Sequence, residues 1–173
     1  MRSHVLTKLF TIAIAGVLWS ALAMPTAGGA SGDGLDALVS GPFTGTTSYT
    51  FTVSGCSFVH QVHDATYGTR SRPSGSFHLD GCVGLGTTFP YTGTFTLRAK
   101  GHATLTGTVS GTVRAEIVPC APLEFVLTVT GGTGRLARAS GSIALHGAWC
   151  GRGDIPAVED PISGALVGSL ARS

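Results

Sequence analysis

Val129-Thr130-Gly131-Gly132-Thr133-Gly134-Arg135-Leu136-Ala137-Arg138-Ala139-Ser140-Gly141 is the stretch about which the clearest hairpin of the chain folds. Before it, Leu123, Phe125, Leu127 and Val129 alternate with Glu124, Val126, Thr128 and Thr130. A period of two marks a strand with one strongly apolar face. Gly131, Gly132 and Gly134 form the structural turn: they supply backbone angles closed to other residues, so the strand stops and reverses. After Gly141, Ile143, Leu145 and Gly147 alternate with Ser142, Ala144 and His146, which gives a second strand. A hairpin centred on Arg135 sets Phe125 opposite Leu145 and Leu127 opposite Ile143. On the other side it sets Glu124 opposite His146. Apolar then meets apolar and acid meets base, as cross-strand pairs must for a register to hold.

Gly132-x-Gly134-x-x-Ala137 after a strand, with Asp154 about 20 residues on, also fits the spacing of a dinucleotide fingerprint. That fingerprint needs a helix whose N-terminus holds the pyrophosphate inside a strand–helix–strand unit. Ser140-Gly141 ends any helix within two turns, and strand alternation resumes at once. No Gly-Lys-Ser or Gly-Lys-Thr occurs, so a phosphate loop is absent too. The stretch is a tight connection rather than a nucleotide site, and no cofactor is expected.

Gly-Gly-Thr-Gly, a basic residue, an apolar residue and then Ala-Arg-Ala-Ser-Gly resembles the signature of the dirigent and allene oxide cyclase barrel superfamily. It also resembles a group of secreted actinobacterial proteins that carry the same segment. The resemblance spans thirteen residues, 129–141. It implies an all-β fold, a small antiparallel eight-stranded barrel. The motif is a turn element in those families, so it brings no catalytic residue with it.

The chain opens with Arg2 and Lys8, followed by an uncharged run from Leu9 to Ala23 that ends in small-x-small Ala21-Leu22-Ala23. Residues 1–23 therefore read as a secretory signal peptide, with cleavage as late as 30 an alternative. The run is too short for a comfortable membrane span, and no later stretch is long enough. Residues 24–40 read as a flexible N-terminal segment and 41–171 as a single domain. Loss of the leader removes both Arg2 and Lys8 and leaves nine basic and nine acidic side chains. That balance argues against nucleic acid, whose ligands carry clustered basic charge, and equally against an anionic membrane surface.

Cys56, Cys82, Cys120 and Cys150 form an even set in an exported chain, which implies two disulfides. Cys120 and Cys150 are symmetric about Arg135, and Cys56 and Cys82 about Thr69, in the turn-rich loop Asp64 to Ser74. The pairings are then Cys56–Cys82 and Cys120–Cys150, each closing the open end of its own hairpin. Chain-entropy arithmetic gives roughly 3 kcal/mol for loops of this length. No pair has a zinc-site C-x₂₋₄-C spacing, so no metal is expected.

Gly, Thr and Ser are abundant, and turn residues recur every ~10 residues, as in all-β chains. Candidate strands lie at 43–53, 57–63, 75–80, 92–99, 102–109, 112–118, 123–130, 141–149 and 162–170. Phe43-Thr-Gly-Thr, Tyr91-Thr-Gly-Thr and Leu105-Thr-Gly-Thr repeat a short theme at irregular spacing. About eight or nine short strands make a closed barrel or a sandwich, and closure removes the exposed edges.

Candidates for chemistry are sparse. His60-Gln-Val-His63 resembles a metal pair, but residues three apart on a strand point to opposite faces. His60 and His78 are both nine residues from Thr69 and would be neighbours across that hairpin; exposed strand histidines are the simpler reading. No Gly-x-Ser-x-Gly elbow exists. Asp64, Asp80, Glu116, Glu124, Asp154 and Glu159 show no motif spacing, and Glu116 shares an outward face with Arg114. Arg152-Gly153-Asp154, an adhesion tripeptide, is expected as a turn after Cys150.

Two function classes remain beside a structural role in the cell envelope. One is a secreted, non-catalytic barrel whose interior or mouth holds an apolar or carbohydrate-like small molecule. The other, implied by the resemblance, is an isomerase or stereo-directing protein. A buried carboxylate or tyrosine inside the barrel favours the second, and a barrel packed solid with Phe, Leu and Val favours neither. Glu116, Tyr91 and His102 are the polar residues that distant strands would have to bring together.

Overall fold

A computed structural model of the chain describes residues 34–51, 53–69, 72–86, 88–113, 120–151 and 159–172. The leader, Glu116 with Arg114, and Arg152–Asp154 lie outside the described residues. Eight strands follow one another: β1 (Gly41–Phe51), β2 (Val59–Thr69), β3 (Arg72–Val83), β4 (Phe89–Ala99), β5 (Thr104–Val113), β6 (Ala121–Gly132), β7 (Ala139–Trp149) and β8 (Asp160–Arg172). Each pairs antiparallel with the next, and β8 pairs with β1, so the sheet closes into a barrel. The two expected strands 102–109 and 112–118 are one element as far as Val113; residues 114–118 lie outside the described residues.

The hairpin β6–β7 has the expected register: Phe125 faces Leu145, Leu127 faces Ile143 and Glu124 faces His146. Gly131 and Gly132 turn out to be the last residues of β6, and only Gly134 of the three takes a positive φ, +58°. A 3₁₀ turn over Gly134–Leu136 follows and buries Leu136 completely. Arg135 donates to Lys100 O at 2.9 Å, and Arg172 donates to Arg135 O at 3.2 Å, so the segment is tied to two neighbouring strands' ends. The motif therefore inserts an apolar plug into one end of the barrel.

That end is also closed by α1 (Asp36–Val39), within the segment expected to be flexible over 24–40. Leu35 and Val39 are buried against the core. Asp36 Oδ1 accepts from Leu170 N–H at 2.6 Å, Ser40 Oγ accepts from Gly168 N–H at 2.8 Å, and Tyr67 donates to Leu38 O at 2.7 Å. These bonds satisfy backbone groups that a bare barrel end would leave open.

Inside, rings sit where facing glycines leave room. Tyr67 covers Gly75, Tyr91 covers Gly81, Phe95 covers Gly107 and Phe125 covers Gly111, while Phe43 lies against both Gly147 and Gly164. The repeated aromatic-or-leucine-Thr-Gly-Thr theme is explained by parity: the first residue and the glycine face inward, and both threonines face outward. Bulky ring against bare Cα gives the close packing of a small barrel's interior.

Both disulfides, Cys56–Cys82 and Cys120–Cys150, are present at the end of the barrel opposite α1. The symmetry that predicted the first is nevertheless displaced. In β2–β3, His60 faces Cys82 and Asp64 faces His78, and the register shifts between Tyr67 and Gly68. The segment expected as a loop, Asp64 to Ser74, is strand up to Thr69 and again from Arg72. Cys56 reaches Cys82 from the connection before β2. Among the described residues no helix is long and apolar enough to cross a membrane.

The glycine–ring fit is testable. A methyl group at Gly111 would overlap Glu124 O and approach the Phe125 ring at 2.6 Å, whereas at Gly131 its nearest neighbour is the movable Thr106 hydroxyl at 3.2 Å. We expect Gly111→Ala to cost about 2–4 kcal/mol in urea unfolding. Gly131→Ala should change stability by no more than about 1 kcal/mol. Equal effects at the two positions would contradict this account of the interior.

Candidate functional site

The inward positions of the α1 end are apolar, but the half nearer the disulfides carries a polar layer. Thr47, Gln61, His63 and Asp160 are buried there, with Tyr91 among them. Alternation explains the placement: on β2, Val59, Gln61, His63, Ala65 and Tyr67 all face inward. His60 and His63 do lie on opposite faces, as expected of residues three apart. His63, however, is not an exposed strand histidine; it is 1% exposed.

The ring of His63 stands edge-on to Tyr91 and to Phe125, both at a centroid distance of 5.5 Å. Tyr91 and Phe125 stack on each other at 4.7 Å. Neither ring nitrogen of His63 has a hydrogen-bond partner among the described residues, nor has Gln61 Oε1. Leaving a buried polar atom unpaired costs about 1–3 kcal/mol, so such atoms are rare and mark sites. Tyr91 donates to Gln61 O at 3.2 Å, Thr47 donates to Val62 O at 3.1 Å, and the Trp149 indole donates to Asp160 Oδ2 at 3.0 Å. Those groups are spoken for; His63 and Gln61 Oε1 are the exceptions.

Burial sets the acidities. Removal from water disfavours the imidazolium and lowers the pKa of His63 from 6.5 to about 4, against a smaller opposing pull from Asp64. Burial raises Tyr67 from 10.0 to about 12, and raises Tyr91 further, helped by Asp80. At neutral pH the layer holds a neutral imidazole, which offers one donor and one acceptor, and the neutral phenol of Tyr91, already bound to a backbone carbonyl.

Above this layer, at the disulfide end, an aromatic chain forms the rim. Trp149 touches Tyr49, Tyr49 touches Phe51, Phe51 touches Phe58, and Phe58 stacks on Phe89, with centroid distances between 5.9 and 6.1 Å. Phe51 is 45% and Phe58 40% exposed.

The outer face differs from expectation at one point. His60 and His78 are not neighbours: His60 Nε2 lies 2.8 Å from Asp80 Oδ1, and His78 Nδ1 lies 2.8 Å from Asp64 Oδ1. Each histidine has an aspartate for partner because the β2–β3 register is four residues off the symmetric one in its residue sum. His102 sits exposed in the β4–β5 turn with φ 63°, near the α1 end, so it does not meet Tyr91. Among the described residues no group of three or more His, Cys, Asp or Glu could hold a metal ion. Asp160 and Gln61 were missed in the sequence, although the inward parity of Ile162 and Gly164 extends back to Asp160.

The buried imidazole makes stability depend on pH. The folded chain resists a proton that the unfolded chain accepts below pH 6.5, so the contribution of neutral His63 is complete above that value. It is lost as pH falls toward about 4. The loss is about 1.4 kcal/mol per pH unit, roughly 3 kcal/mol in all. His63→Phe keeps a ring between Tyr91 and Phe125 and removes the proton site. Urea unfolding at pH 7.5 and at pH 4.5 should show the variant losing about 2–3 kcal/mol less than the parent on acidification. Parallel pH profiles would place the acid sensitivity elsewhere.

Compared with protein-family models, with curated proteins and with solved structures, the chain matches none.

Proposed function

We propose that this is an exported, non-catalytic binding protein that takes a small apolar molecule bearing a hydroxyl group at the disulfide end of the barrel. The observation that carries the reading is the unpartnered pair His63 and Gln61 Oε1 beneath a partly exposed aromatic rim. A hydroxyl both donates and accepts, so one such group can answer the Gln61 oxygen and an imidazole nitrogen together. The rim rings Phe51 and Phe58 offer an apolar surface to the rest of the molecule. Small molecules bind where a mostly apolar lining carries a few convergent polar groups and a displaced pKa. Because the His63 nitrogens are closed to solvent, binding requires the rim to part. Export rests on the leader-like first 23 residues, and two disulfides are consistent with an extracellular protein.

A second reading is an isomerase or stereo-directing protein, as the resemblance to dirigent and allene oxide cyclase barrels implies. The buried carboxylate of Asp160 and Tyr91, which stands beside His63, favour it. The geometry supports it less, because the Tyr91 hydroxyl is committed to Gln61 O and burial raises its pKa, which makes it a poor acid at neutral pH.

Trp149 stands in the rim, so its fluorescence reports on occupancy. Titration with alkylphenols and long-chain alcohols should give saturable quenching. His63→Phe and Gln61→Leu should each weaken it about fivefold to thirtyfold while the fold persists. Absence of saturation, or affinity indifferent to both substitutions, would rule the binding site out. Conversion of an allylic epoxide or of phenoxyl radicals to a single stereoisomer, abolished by His63→Phe, would establish the second reading.

A further inference from the structure

The outward residues of β1–β4 form a grid of two rows. Thr46, Asp64, His78 and Thr96 lie side by side in one row, and Thr44, Thr66, Ser76 and Arg98 in the next. All eight line one concavity of about 620 Å³ on the outside of the barrel. Barrel exteriors are normally convex. Here the inward positions behind the grid on β1 and β2 are small, Gly45 and Ala65, and a methyl group on Gly45 would overlap Ala65 and Asp64 O. These two strands can therefore dip toward the axis.

The chemistry of the grid is uniform. Ala65 and Phe77, which also border it, face inward and are buried. It holds one carboxylate and one guanidinium, so it has no net charge and no basic cluster for an anion. Five hydroxyls and an imidazole surround them. Such a surface offers alternating donors and acceptors set among threonine methyl groups, which suits a partner whose neutral hydroxyls stand on a carbon ring. Neighbouring strands are ~4.8 Å apart, so a row of four spans about 14 Å, the length of a few linked sugar rings. The Asp64 carboxylate is already held by His78 at 2.8 Å, which reduces the rotamer freedom lost on binding.

We propose that this outer groove is a second binding site, separate from the rim, and that it takes a neutral oligosaccharide, with Asp64 accepting from a sugar hydroxyl and Arg98 donating across the grid. Hydrogen bonds to charged groups are the strong ones in such a site. The His78 imidazole on the grid is held by Asp64 and no Phe, Tyr or Trp side chain points outward there, so stacking adds little and we expect affinity in the millimolar range.

Proton–nitrogen correlation spectra of the full disulfide-bonded protein, titrated with maltohexaose, cellohexaose, xylohexaose and chitohexaose, test it. At least one sugar should shift the amides of 44–46, 64–66, 76–78 and 96–98 in a saturable manner. Asp64→Asn and Arg98→Ala should each weaken binding about tenfold. His63→Phe should leave it unchanged, which keeps failure here distinct from failure of the rim site. No saturable shift with any of the four sugars, shifts confined to the rim, or affinity indifferent to both substitutions would overturn the proposal.

Discussion

Closure of the sheet on itself is the constraint from which the rest follows. Eight strands leave an interior just wide enough for side chains, and several of its rings fit because a neighbouring strand has no side chain opposite them. Phe43 needs Gly147 and Gly164, Tyr67 needs Gly75, and Phe125 needs Gly111. Glycine costs backbone entropy in a strand, roughly 0.5–1 kcal/mol at each position, and the rings it admits bury far more apolar surface than that loss offsets. The Thr-Gly-Thr theme is this exchange written into the chain: each glycine is flanked by β-branched residues that stiffen the strand on the solvent side.

The β6–β7 hairpin was fully legible because its two apolar faces fix one register and its turn is centred where the glycines cluster. The β2–β3 hairpin was legible as a hairpin but not in register. Symmetry about Thr69 ignored the shift at Tyr67/Gly68 and a reversal that falls after Thr69, and the error carried His60 to the wrong partner. The inward direction of His63 follows from alternation alone. Its surroundings do not, since Tyr91 and Phe125 come from β4 and β6 and no local pattern links them. Nor does the sequence announce an orphaned nitrogen, which depends on what three-dimensional packing withholds. The inward glycines were visible as a repeat, yet their meaning needed the barrel's parity.

The two ends of the barrel are built on different principles. At one, α1 and Leu136 fill the opening, and hydrogen bonds from Asp36, Ser40 and Tyr67 settle the backbone groups there. At the other, two covalent links hold the connections while the interior keeps unpaired polar atoms and a partly exposed ring of aromatics. An end that tolerates unsatisfied groups and exposed rings without coming apart is where a binding site can be kept, because the disulfides supply the stability that packing does not.

The seam between β1 and β8 has a consequence for how the chain reaches this state. Gly41 pairs with Leu166, and Asp36 reaches Leu170, so the contacts that close the ring join the two extremes of the domain. The other seven strand pairs are between sequence neighbours, and the two disulfides span only 26 and 30 residues. Hairpins and their cross-links therefore form early, as local contacts do, while the seam waits for the final strand. Until that strand arrives, β1 and the newest strand are open edges of an incomplete sheet, the state in which β chains aggregate. For a chain delivered N-terminus first, the vulnerable interval lasts until residues 160–172 are free, and a chain stopped short of them keeps both staples yet never loses its edges.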